Sequence, residues 1–189
     1  MLRHVLCLAG ALTVLACPLL AGEPKPDATV RNKAFEGRVY LDDKVKADPA
    51  LAADSLAEGR KWIEMSAAEA ERERKQEPQF FRERSWTYER RYNFRSLVDD
   101  RYVSIVRGDY MDTGGAHPNS DVNTILWDQA AKKRISIRPF FTETADNGPA
   151  MNAMRKAIIA SLNAEKKKRD ASATATAEWY KELKPSLLK

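Results

Sequence analysis

The alternation of apolar and polar residues is clearest in the middle of the chain. Trp86, Tyr88, Tyr92 and Phe94 alternate with Thr87, Glu89, Arg91, Asn93 and Arg95. Period two over ten residues predicts a strand with one aromatic face and one polar face. Asp99 and Asp100 then turn the chain into residues 101–111, rich in β-branched residues, so the two segments form an antiparallel hairpin. Two further strands are expected at 122–128 and 133–137, with a turn between them. Upstream, "FEGRVYL" at 35–41 is a short strand with Phe35, Val39 and Leu41 on one face; Gly37 marks a bulge or a close approach.

Two segments carry a helical period instead. Asp48 is a good N-cap and Pro49 suits the first helical position. Leu51, Ser55, Leu56, Trp62 and Ile63 follow as a stripe, and the charged "EAERERKQE" runs up to Pro78. One helix over 49–76 is expected, bent near Gly59, with its first half packed and its second half solvated. The second helix spans about 149–168, capped by Asp146 or Asn147, with Met151, Met154, Ile158, Ile159 and Leu162 as a core-filling face. "DASATATA" is loose low-complexity sequence, and "EWYKEL" is a last helical turn before Pro185. Strands in the middle with helices around them predict an α+β fold, an antiparallel sheet with helices packed on one face and the other face wet.

The N-terminus changes the picture. "MLRHVLCLAGALTVLACPLLAG" has one early positive charge, an apolar run from Val5 to Leu20 and small residues before polar "EPKPD". That is the layout of a secretory signal peptide over 1–22. Residues 23–34, with two prolines and mixed charge, read as a flexible lead-in, and 35–189 as one domain. Export to the periplasm or the extracellular space is expected. Cys17, in "VLAC", is a lipidation candidate, and the membrane becomes a partner only if that cysteine is lipidated. Cys7, Cys17 and His4 all lie within the signal, so the mature chain carries no thiol and His117 as its one histidine. Its stability then rests on its core alone.

Charge excludes one class of partner. The chain has 189 residues, 43% hydrophobic and 31% charged, with a formal charge of +5 that becomes +4 when Arg3 leaves with the signal. The basic residues are interspersed with acids, so no nucleic-acid stripe is present. "EKKKR" at 165–169 is a solvated helix end, where cations suit the helix dipole.

Candidate chemistry concentrates in "YMDTGGAHPNSD", residues 110–121. Gly114 and Gly115 permit positive φ in a sharp turn, His117 can bond loop backbone, and Pro118 stiffens the exit. The same loop can present Tyr110, Thr113, Gly114, Gly115, His117 and Asn119 to a ligand. A general base at His117, with Thr113 or Ser120 nearby and a glycine amide nest, would describe a hydrolase. A metal site of one histidine and aspartates departs from the usual zinc ligand sets, so neither metal nor cofactor is assigned.

Residues 102–141, with "TGGAH" at Thr113 to His117 between strands, resemble an exported bacterial domain family. It includes the N-terminal domain of PdaC-type peptidoglycan deacetylases and the extracellular part of a lysozyme-sensing anti-sigma factor. The resemblance spans roughly 85–185. It implies a ligand-binding envelope domain whose partner is peptidoglycan or a muramidase. Deacetylase chemistry in that family belongs to a separate metal-dependent domain that has no counterpart here. Family members continue into further strands where this chain stops, so the domain is expected to be incomplete at its C-terminus and to expose a sheet edge. The leading expectation is a non-catalytic binding module of the cell envelope. The alternatives are a cell-wall hydrolase working through the His117 loop and a structural assembly factor.

Overall fold

The computed structural model describes residues 24–169. The expected signal peptide at 1–22 with Cys17, and the segment 170–189 with the expected last helical turn, lie outside them. The elements run β1 (Ala28–Arg31), β2 (Phe35–Leu41), a short α1 (Asp43–Lys46), α2 (Pro49–Gln76), β3 (Trp86–Val98), β4 (Tyr102–Asp112), β5 (Asn119–Asp128), β6 (Lys133–Ile135) and α3 (Pro149–Lys168). The six strands form one sheet in chain order, and the fold is α+β.

One pairing departs from the expected antiparallel sheet. β2 and β3 are parallel, with Phe35 beside Trp86 and Leu41 beside Tyr92; the other strand pairs are antiparallel. The cause is α2. A helix of 28 residues is roughly 42 Å long at about 1.5 Å per residue, so it carries the chain back to the end of the sheet where β2 began. The lead-in is also more ordered than its composition suggests. Residues 28–31 pair with β2, and Asp27 accepts the Leu41 N–H at 2.7 Å.

α2 begins and ends where its local signals place it. The Asp48 carboxylate accepts the N–H groups of Ala50 and Leu51, and the helix stops two residues before Pro78. Leu51, Ser55, Gly59, Ile63, Ala67 and Ala70 are buried at a spacing of three to four residues. The second half of α2 is therefore packed through Ala70, because its alanines allow close approach; solvation begins only with the charged end. Gly59 sets that approach. A methyl group added there would lie 2.7 Å from Val39 Cγ1, too close for any carbon–carbon contact. Gly59 is thus a contact residue between α2 and β2.

The core lies between α2 and the sheet: Phe35, Val39 and Leu41 of β2, Tyr92 of β3, Val103 and Ile105 of β4, Ile125 and Trp127 of β5. Trp127 is 2% exposed and donates its indole N–H to Asp48 at 3.1 Å, tying β5 to the start of α2. α3 differs from expectation. Met151 is buried, but Met154, Ile158 and Ile159 are half-buried and Leu162 is exposed. Its cap differs too: Gly148 occupies the N-cap position, and Glu143 accepts the Ala150 N–H at 2.8 Å.

Candidate functional site

The hairpin between β4 and β5 carries the loop 113–118. Asp112 accepts the Gly114 N–H at 2.8 Å and closes the first turn. Gly114 has φ of +79°, a left-handed conformation that glycine adopts without strain. Its carbonyl accepts from Arg84 Nη1 at 2.9 Å, fixing the loop to the segment that leads into β3. Gly115, Thr113 and His117 are exposed. His117 Nδ1 lies 3.2 Å from the Pro118 carbonyl. Among the described residues no carboxylate orients the ring and no hydroxyl is bonded to it.

The predicted site residues divide into two sets. Thr113, Gly114 and Gly115 line an open groove of about 530 Å³ with Phe80, Arg82 and Arg84. Tyr110 and Asn119 do not join them. Tyr110 pairs with Ser120 and Asn119 with Met111, so their side chains project from opposite faces of the sheet. Phe80 is 68% exposed, while its neighbour Phe81 packs on Trp86 with ring centroids 5.8 Å apart. One phenylalanine of "QFFRER" therefore anchors the segment and the other faces the groove. By its near-balanced charges alone this basic, aromatic run reads as solvated surface. Its signal is the pair of adjacent phenylalanines, which the short turn at 78–81 sends in different directions.

The strand aromatics behave as a core face. Tyr92 is buried and Trp86, Tyr88 and Phe94 are half-buried, with Trp62 of α2 stacked on Tyr88 at 5.3 Å. Within that face sits Arg90, a buried arginine that the alternation leaves unexplained. Its guanidinium lies 4.1 Å from the Trp62 ring centre and donates to both oxygens of buried Asp109, at 2.6 and 2.7 Å.

A larger ionic lattice surrounds this pair. Glu58 of α2 accepts from Arg107 and Arg134, each at 2.6 Å, and from the Tyr92 hydroxyl at 3.0 Å. Arg134 also donates to Asp54 at 2.7 Å. Arg90, Arg107 and Arg134 thus meet Asp54, Glu58 and Asp109, and the formal charges cancel. Burial pushes the Glu58 carboxyl up, but the bonds and charges from Arg134, Tyr92 and Arg107 outweigh it and hold the group below the usual range. Burial, reinforced by Glu58, pushes the Tyr92 hydroxyl well up. Neither group is left to exchange a proton near neutral pH. The lattice braces α2 against β3, β4 and β6, and its chemistry is structural.

No protein-family model matches the chain, and no curated protein matches it. Among solved structures, the chain is similar to a DUF3298 family protein from Pseudomonas aeruginosa PAO1, with 19% identity and a TM-score of 0.39. The match covers 71% of this chain and spans 58% of the length of that protein.

Proposed function

We propose that this chain is an exported binding module of the cell envelope, acting without catalysis on cell-wall glycan and its peptide stems. The observation that carries the reading is the groove at the glycine loop. It joins an exposed aromatic ring, Phe80, to Arg82 and Arg84 and to the exposed Gly115, beside the turn that Asp112 and Arg84 fix at Gly114. An aromatic face suits a sugar ring, and guanidinium groups suit the carboxylates of peptide stems. His117, two positions beyond Gly115, has no orienting carboxylate of the kind a general base uses among the described residues. The N-terminal layout supports export. The resemblance of the "TGGAH" hairpin to wall-associated domains supports the ligand class, with a muramidase as the protein partner to test.

The test is sedimentation of the 23–189 chain with insoluble peptidoglycan, with and without added lysozyme. Saturable binding is expected, weakened by about tenfold in Phe80→Ala, as for a truncated aromatic anchor. Folded native protein that stays in the supernatant and does not bind lysozyme sinks the reading. Release of soluble wall fragments, lost in His117→Ala, would instead establish a hydrolase.

A further inference from the structure

β5 forms the last long edge of the sheet. β6 pairs only with Leu126, Trp127 and Asp128, so residues 119–125 have β4 on one side and, among the described residues, no strand on the other. The direction of their backbone groups follows from the ladder. Gln129 donates its N–H to the Arg101 carbonyl at 3.0 Å, which turns odd-numbered residues of β5 toward β4 and even-numbered ones outward. Val122 agrees, since its N–H is taken by the Asp121 carboxylate at 2.9 Å. Ser120, Val122 and Thr124 therefore offer outward-facing N–H and C=O groups. Residues 119–124 are all exposed, and Val122 is 69% exposed.

Edges of this kind are normally blunted by lysine, proline or a bulge. Residues 119–125 contain none of these, and their one charge is Asp121. The stretch is also complementary to itself. Paired antiparallel about Val122, it sets Ser120 against Thr124, Asp121 against Asn123 and Asn119 against Ile125 of a second copy. Shifting by two residues in one direction brings Asp121 onto Asp121, a like-charge pair. Shifting the other way drives Ser120 into the place held by β6. A shift of one turns every side chain to the wrong face. The free segment is thus bounded by Pro118 at one end and β6 at the other, and one register fits it.

We infer that this chain forms a two-fold dimer through β5, with Val122 of each copy on the dyad and the two sheets joined into one. Asp121 yields the Val122 N–H to the partner's carbonyl and meets the partner's Asn123. On the continuous sheet the near ends of the two loops at 113–118 stand roughly 26 Å apart along the strands, eight residues at about 3.3 Å each. A polymeric ligand would then meet two grooves at once, a geometry that raises avidity.

A cysteine test is clean because the 23–189 chain has no cysteine of its own. Hydrogen-bonded antiparallel partners have Cα atoms about 5.5 Å apart, within disulfide range. Val122→Cys is expected to oxidise to a covalent dimer about a hundredfold faster than Met65→Cys, a site 63% exposed on α2. The native chain should show a concentration-dependent dimer by sedimentation equilibrium. Val122→Pro, which removes an N–H that β4 does not use, should be folded by circular dichroism and monomeric. A native chain that stays monomeric across the series overturns the inference. So does cross-linking of Val122→Cys no faster than Met65→Cys. A monomer whose Val122 amide is protected from exchange would place another segment of the chain on this edge, and that also overturns it.

Discussion

Replacing Asp109 with alanine removes one partner of a pair in which each side chain is 5% exposed. The Arg90 guanidinium stays behind, held against Trp62, with Glu58 as the remaining carboxylate at 3.9 Å. Breaking a buried pair in this way costs about 3–5 kcal/mol, because an uncompensated charge is left in a poorly hydrated site. Glu58 offsets part of it, so about 3 kcal/mol is expected. With a urea m-value of about 2 kcal/mol/M, the midpoint should fall by roughly 1.5 M. Tryptophan fluorescence can follow it, since Trp127 is buried. The double variant Arg90→Met/Asp109→Leu removes both charges and restores apolar volume, so it should recover most of the loss. A loss below about 1 kcal/mol in Asp109→Ala would show that water reaches the pair. A double variant as unstable as the single one would show that the cost comes from packing.

Other outcomes follow from the same geometry. Gly59→Ala should destabilise by about 1–3 kcal/mol through overpacking despite alanine's better helix propensity, with Val39→Ala in the same chain recovering part of it; both are read by thermal melting. Asp128 accepts from Arg101 and from the N–H groups of Ala130 and Ala131, and Arg101 above all holds its pKa at about 2 against an ordinary 3.8. Its contribution to stability is full above 3.8 and disappears as pH falls toward 2. Asp128→Asn should therefore flatten that part of the pH–stability curve, measured by urea midpoints. His117→Ala should change the melting free energy by less than about 0.5 kcal/mol, since the ring is exposed and bonds only loop backbone. A larger loss would make the ring a structural part of the hairpin.

Much of the fold was legible because its signals are local. Asp48, Pro49 and Pro78 bound α2 within a residue or two of themselves, and capping needs no distant partner. The alternation from Trp86 marks β3, and Asp99 and Asp100, both with positive φ, mark the hairpin turn after it. The glycine turn at 114 was legible for the same reason. The parallel pairing of β2 with β3 was not, since it depends on the length of the intervening helix. Nor was the burial of Arg90, whose acceptor lies 19 positions away. The groove was read only from its loop side, because Arg84 and Gly114 are 30 positions apart and meet through tertiary contact. Local periodicity determines what each segment is; which segments touch, which charges are paired and which edge stays free is decided where distant parts of the chain pack together.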